Sequence, residues 1–318
     1  MATIKDIADA AGVSTMTVSR YFNEPEKLKQ DTYDKIHDIV EKVGYKPNMV
    51  ARLLAIKKTH IISVYVADMI DALHPFTLQA IAGIGEALGE KGYSMHITKV
   101  VDEEMICDGI ISMGLETKKE QKLLEMSKDK AVLFFGNSSY EHNSVEVDNY
   151  KGEYAATEYL ISRGYKKIGH IGVEATQGYS EDRFWGYHDC MKAHGLEIPE
   201  NGVQRVHNDE PYGYEAAKEM FSKNTFDGLV CASDSLALGA MRYAMEKGID
   251  VPNELGVIGF DGLGYEKLVT PNITTMMQPV YAAGRQTAQI MIDLLENKKT
   301  GKTELFIPPV LKVNGTTK

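Results

Sequence analysis

Cysteine is scarce: the chain of 318 residues holds three, Cys107, Cys190 and Cys231, far apart and never in a CxxC spacing. That excludes a disulfide framework and a zinc knuckle. No run approaches the ~18 consecutive apolar residues of a bilayer span, so no membrane association is expected. The N-terminal MATIKDIADAAG alternates charged with apolar residues and lacks the apolar stretch of a secretory signal. These absences predict a reducing, cytoplasmic setting. HExxH, GxSxG, P-loop and strand-linked GxGxxG patterns are also missing, and the nine histidines never stand at metal-ligand spacing with a cysteine. Neither a metal, nor a cofactor, nor an enzyme is expected. What is present is ordinary for a globular protein, 43% hydrophobic and 25% charged. The length exceeds one domain of roughly 150 residues.

The net charge of −10 is unevenly distributed. Residues 1–60 carry ten Lys/Arg against eight Asp/Glu, and the rest carry 25 against 37. A weakly basic module thus precedes an acidic body, which suits a front element that meets a polyanion. Within that module, Thr3 stands three residues before Asp6 in a capping-box arrangement, with Ile4, Ile7, Ala8 and Ala11 on one helical face. Gly12 breaks the helix, Ser14 caps a second running through Phe22, and a third spans about Thr32 to Val43. Three short helices with a tight glycine turn describe a helix-turn-helix unit.

On the second helix, Val18 and Phe22 share the face that packs on the first, whereas Met16, Thr17 and Arg20 point away. Arginine can donate twice to guanine, and methionine and threonine methyls can touch thymine. The same pattern fits a small helical bundle with a solvated Arg20. The next stretch, Pro47 to Ala55, is apolar and helix-forming but only about two turns long, too short to stand alone. It needs a partner: a second copy of itself or a nucleic-acid groove.

From residue 61 the texture changes to short β-branched runs alternating with amphipathic segments. Candidate strands are 61–66, 94–98, 109–113, 131–135, 168–172, 203–206, 228–232, 256–260 and a final 305–313. Candidate helices are 77–90, 154–163, 184–194, 214–223, 235–247 and 282–296. Such alternation predicts parallel sheets covered on both faces, and the number of units predicts two α/β subdomains with a cleft between them. Only about ten residues separate the strands 94–98 and 109–113, which leaves the first subdomain short of one crossover helix.

The chain resembles the lactose/galactose repressor (LacI/GalR) family of bacterial transcription regulators. The resemblance rests on TIKDIADAAGVSTMTVSRYFN at the start and YKPNMVARLLA as a hinge. HPF at 74–76, DRFWGY at 182–187, CASDSLALGAM at 231–241, GVIGFDG at 256–262 and TPNITTMMQP at 270–279 follow in family order. It implies a helix-turn-helix headpiece over 1–46, a hinge helix and linker over 47–60, and a core over 61–318 of two doubly wound α/β subdomains of periplasmic-binding-protein type. The core's first part would take about 61–148 and 279–303, its second about 149–278 and 304–318. It further implies a homodimeric repressor on double-stranded operator DNA, with the helix 77–90 and the strand after it at the subunit interface. Thr15, Met16 and Arg20 would face bases. Ser14, Thr17, Asn23, Tyr45 and Asn48 would hold phosphates. Ala51, on the paired hinge helices, would contact the DNA, and Leu54 would wedge into the minor groove. Met16 replaces the polar residue usual in the family, which points to a different operator half-site.

The resemblance also implies a small effector, a sugar or sugar phosphate, between the subdomains. Arg183 would grip its oxygens and Asp261, at a strand's carboxyl end, would accept its hydroxyl protons. His74 and Phe76 would form a wall with Leu73 beside them, and Ser233 would stand at an equivalent strand end. Asp234 is read either as a ligand contact or as the cap of the helix after it, and Arg183 either as a ligand contact or as an ion pair with Glu181 or Asp182. Trp185 is read as core packing or a sugar platform, and the stacking aromatic as Tyr212 or absent, with Asn208 in its place. Two alternatives stay open: a global catabolite regulator with a phosphoprotein corepressor, and a purine- or nucleoside-responsive repressor.

Overall fold

A computed structural model describes residues 3–23, 25–45, 58–67, 73–102, 105–114, 117–127, 130–136, 142–175, 178–296 and 302–318. The chain divides into two units, residues 1–59 and 60–318.

In the first unit, α1 (Ile4–Ala11) and α2 (Thr15–Asn23) are followed by α3 (Gln30–Val43). The capping box forms: Thr3 N–H donates to Asp6 Oδ2 at 2.8 Å, and Asp6 N–H donates to Thr3 Oγ1 at 3.3 Å. Gly12 ends α1 at φ 60°, a left-handed conformation that glycine adopts without a Cβ clash. Thr17 N–H then donates to Ser14 Oγ at 3.1 Å, so Ser14 opens α2. Ile7, Ala8, Ala11, Val18 and Ile36 form the buried centre, with Tyr21 and Phe22 against it. α3 starts two residues before the expected Thr32, on the polar Gln30 and Asp31, which carry no apolar periodicity.

The second unit holds two six-stranded sheets. The first comprises β1 (Ile61–Val66), β2 (Ser94–Thr98), β3 (Gly109–Met113), β4 (Ala131–Phe135), β5 (Ser144–Val147) and β11 (Glu304–Ile307), in the order β11-β5-β4-β3-β1-β2. The second comprises β6 (Ile168–Val173), β7 (Val203–Val206), β8 (Gly228–Cys231), β9 (Gly256–Asp261), β10 (Thr274–Met277) and β12 (Val310–Lys312), in the order β12-β10-β9-β8-β6-β7. All neighbours run parallel except β12 against β10. The helices are α4 (Pro75–Glu90), α5 (Thr117–Met126), α6 (Asn149–Ser162), α7 (Gly178–Ala193), α8 (Glu210–Lys223), α9 (Asp234–Lys247) and α10 (Val280–Leu295). No helix among the described residues is long and apolar enough to cross a membrane.

Several expectations are corrected. The single final strand 305–313 is two strands in different sheets, because Pro308 and Pro309 cannot donate to a ladder and break the run. The return to the second sheet therefore comes after Ile307, not at 304. β5 and β10 escaped the sequence reading because each is four residues long and carries acid or hydroxyl side chains (SVEV, TTMM). α5 escaped it because half of TKKEQKLLEM is charged. α6 and α8 start about one turn earlier than expected, at the caps Asp148 and Asp209, since their first turns are polar. The described residues between β2 and β3 hold no helix.

The chain passes between sheets three times, at 147–149, 277–280 and 307–310. Where α4 crosses α10 the helices nearly touch: a Cβ on Gly284 would stand 2.4 Å from the Ala80 carbonyl oxygen, and one on Gly83 2.1 Å from that of Tyr281. Gly284→Ala must push these helices apart and is expected to destabilise the core by about 1–3 kcal/mol. A denaturant midpoint unchanged from the parent would contradict the close crossing.

Candidate functional site

The outer face of α2 is one candidate surface. Val18 is fully buried while Met16 is 69% exposed, and Ser14, Thr15 and Arg20 are also exposed. Thr17 is half-buried, its hydroxyl 2.9 Å from that of Ser14. Tyr45 lies against Phe22, with ring centroids 5.7 Å apart. Asn23 closes α2, and its side chain is outside the described atoms. Asn48, Ala51 and Leu54 lie outside the described residues.

The second candidate is a cleft of about 710 Å³ in the second unit. It opens at the carboxyl ends of strands from both sheets, with Met113, Phe135 and Val147 on one side and Val173 and Asp261 on the other. Loops fan out at that end of an α/β sheet, which leaves room for a ligand. Of the residues expected there, His74, Phe76, Arg183 and Asp261 line the cleft.

Arg183, on the first half of α7, is 5% exposed. Its Nε donates to Asn149 Oδ1 at 2.9 Å, its Nη1 donates to the Ala232 carbonyl, and its guanidinium carbon lies 3.7 Å from the Phe260 ring centroid. Asp261 Oδ1 stands 3.7 Å from Arg183 Nη1 and accepts from Gln278 Nε2 at 2.6 Å. Asp261 sits at φ 124° as β9 ends, a sparsely populated conformation for a non-glycine residue. Burial raises its carboxyl above the ordinary range, opposed by Arg183 and the Gln278 bond. Of the two acids read as alternative partners of Arg183, Glu181 is taken: it pairs with both terminal nitrogens of Arg205.

Five expected residues do not line the cleft. Leu73 is 78% exposed. Trp185, two positions after Arg183 and so on the far side of α7, is 47% exposed and meets His188 edge-on, which corrects both the core and the platform readings. Tyr212 lies in the first turn of α8, half exposed, while Asn208 and His207 before it do reach the cleft. Ser233 is buried as the cap of α9: its Oγ accepts from Leu236 N–H at 3.1 Å and donates to Asn208 Oδ1 at 2.5 Å. Asp234 is thus not the cap. It is buried, its Oδ2 accepting from Gly262 N–H at 2.7 Å, and burial followed by repulsion from Asp261 pushes its carboxyl up to about 8.

The sequence reading missed Glu146, Asn149 and Gln278. Asn149 Nδ2 donates to Glu146 Oε1 at 3.0 Å while its Oδ1 receives Arg183, so an unbroken run of polar contacts links Glu146, Asn149, Arg183, Asp261 and Gln278. Asn149 and Gln278 sit at the first two crossovers. The signal was a polar residue just past a strand end, and it was invisible because β5 and β10 were not recognised.

Residues 3–48 match the family of bacterial regulatory proteins called the lacI family, and residues 157–317 match a periplasmic binding protein-like domain. The HTH-type transcriptional regulator RegA of Clostridium saccharobutylicum is 30% identical over 317 residues, 94% of each chain. Among solved structures, the Lac repressor dimer bound to operator and an anti-inducer aligns with TM-score 0.80 and 23% identity over 99% of both chains. A complex of the transcriptional regulator CelR with cellobiose aligns with TM-score 0.74 and 24% identity, over 99% of this chain and 100% of that one. At those identities the solved structures establish the architecture, a headpiece before a two-sheet core. With the sequence matches at both ends, the chain belongs to the lacI family of bacterial regulatory proteins and is a helix-turn-helix transcriptional regulator.

Proposed function

We propose that this regulator is a repressor of carbohydrate-utilisation genes, binding operator DNA as a homodimer and changing its operator affinity when a sugar or sugar phosphate occupies the cleft. The observation that carries the reading is the convergence of Arg183, Asp261, Asn149 and Gln278 on one cavity at the strand ends, with Phe76 and Phe135 as apolar walls. A few fixed donors and acceptors on an apolar floor suit a ligand with hydroxyls on a carbon ring, and the volume falls within the roughly 300–1,000 Å³ of small-molecule sites. A ligand shifts the balance between arrangements of the two sheets only by its differential affinity for them. The exposed Leu78 on α4 and Ile97 on β2 supply an apolar surface for the subunit contact. Fluorescence titration of operator-bound protein with mono- and disaccharides and their phosphates tests the reading: a member of the panel should change operator affinity, and none doing so contradicts it.

On the DNA side, the exposed Thr15, Met16 and Arg20 on the outer face of α2 are the side chains that would meet base edges. Arg20→Ala is expected to weaken the cognate site by about 1–3 kcal/mol and to relax the preference at one half-site position. A uniform loss across all sequences would assign Arg20 to phosphate instead.

A further inference from the structure

The charges around the cleft are lopsided. Among the described lining residues are four acids, Glu120, Glu146, Glu174 and Asp261, against one guanidinium, Arg183, two imidazoles, His74 and His207, and no lysine. Arg183 is already balanced by Asp261 at 3.7 Å, and two of its nitrogens are committed to Asn149 and Ala232. Helix N-termini are the other common phosphate donors. Here α4 begins with Pro75, which has no N–H, and His74 Nδ1 accepts from Phe76 N–H at 3.3 Å. At α6, Asp148 Oδ1 accepts from Lys151 N–H at 3.0 Å.

Glu146 supplies an independent observation. It is 7% exposed on a lining strand, its Oε1 is held by Asn149, and its Oε2 has no hydrogen-bond partner among the described residues. Buried polar atoms are ordinarily satisfied, so an orphaned oxygen on a cleft-lining side chain marks a place for a ligand group. A hydroxyl both donates and accepts and can meet this carboxyl in either protonation state. A phosphate or carboxylate oxygen only accepts, so it could meet this carboxyl only while the proton stays on it, and it would bring its own negative charge beside Asp261, Glu120 and Glu174.

We propose that the effector is an uncharged polyol, held at Glu146 as well as at Arg183 and Asp261, and that the cleft rejects the phosphorylated and uronic forms of the same sugar. This rests on the reading of the cleft as a site for a hydroxylated ligand. It narrows that reading from sugars and sugar phosphates to neutral sugars.

The test is calorimetric titration of the full chain at neutral pH. The probes are glucose, galactose, maltose and cellobiose, the anions glucose 6-phosphate, galactose 6-phosphate, galacturonate and inorganic phosphate, and hypoxanthine as a ligand without hydroxyls. At least one neutral sugar should bind, with its anionic counterpart weaker by about a hundredfold, as like-charge apposition requires. An anion binding as tightly as its neutral parent overturns the inference and leaves the cleft as the effector site. Silence from every sugar, or binding of hypoxanthine alone, overturns the site reading and the inference with it. Glu146→Ala should lower the affinity for the neutral sugar about tenfold, with Glu146→Gln retaining most of it. Equal affinity in the alanine variant, in protein shown to melt cooperatively, removes Glu146 from the ligand's contacts.

Discussion

Asp261→Asn is expected to raise the sugar concentration that shifts operator affinity by roughly a hundredfold, with the operator affinity of the ligand-free protein within about twofold of the parent. Hydrogen bonds to a charged group contribute about 1.5–3 kcal/mol each, and a carboxylate accepting from two ligand hydroxyls loses most of that when one oxygen becomes an NH₂ group. The substitution is nearly isosteric, so the turn at φ 124° and the end of β9 keep their shape. It does break two local relationships: Gln278 Nε2 needs an acceptor where Asp261 Oδ1 now stands, and Arg183 loses its nearest balancing charge. Because burial disfavours the Asp261 carboxylate, removing its charge should leave the melting temperature at or above the parent value, which separates loss of recognition from loss of fold. Anisotropy of labelled operator DNA, titrated with whichever sugar acts on the parent, reads the effect. A response midpoint equal to that of the parent would place the ligand away from Asp261.

The reason one side chain should matter that much lies in where its partners stand. Asn149 and Gln278 belong to two of the three places where the chain passes between sheets. A ligand held by Arg183 and Asp261 therefore acts on side chains whose backbones are themselves the crossovers. Closing the cleft would rearrange those contacts, which gives the ligand a differential affinity for the two arrangements without a remote relay.

The headpiece was legible almost to the residue because its signals are local: a capping box, a glycine in the left-handed region and three apolar stripes, each satisfied within the unit. The core's long parallel strands were legible for the same reason, since strands buried on both faces read as continuous apolar runs. The short strands failed. SVEV and TTMM are held by their neighbours in the sheet rather than by their own pattern, and with them went the ends that locate Asn149 and Gln278. Helical spacing separates Arg183 from Trp185 by about half a turn, so their adjacency in sequence misled. Ser233 and Asp234 traded expected roles because a serine with extended backbone, φ −159°, is the better placed to cap, leaving the aspartate to be buried. The partner of Glu181, Arg205, lies 24 positions away on β7, a distance over which no pattern speaks.

Glu146 should announce itself without any ligand, in the pH dependence of stability. Burial, then repulsion from Asp182, pushes its carboxyl up to about 8 against the opposing pull of the Asn149 bond and Arg183. An unfolded glutamate titrates near ~4.3, so between that value and about 8 the folded chain keeps a proton that the unfolded chain has released. Stability from this group is fully present below the unfolded value and is lost as pH rises through the folded one. Asp234, also raised to about 8, loses stability in the same direction and over the same range. Glutamine in place of Glu146 has no proton to lose, and its amide can still accept from Asn149. The Glu146→Gln curve of melting temperature against pH should therefore run close to that of the parent near pH 5 and fall away less steeply above it. At pH 8 the gap should be on the order of 3 kcal/mol, which at roughly 2–4 °C per kcal/mol is about 6–12 °C. Scanning calorimetry across a buffer series measures both curves, and the residual slope of the variant isolates the share left to Asp234 and Asp261. Two parallel curves with a fixed offset would mean that Glu146 is ionised in the folded chain like a surface carboxylate, and the unpartnered Oε2 would then have to be satisfied by water rather than kept for a hydroxyl.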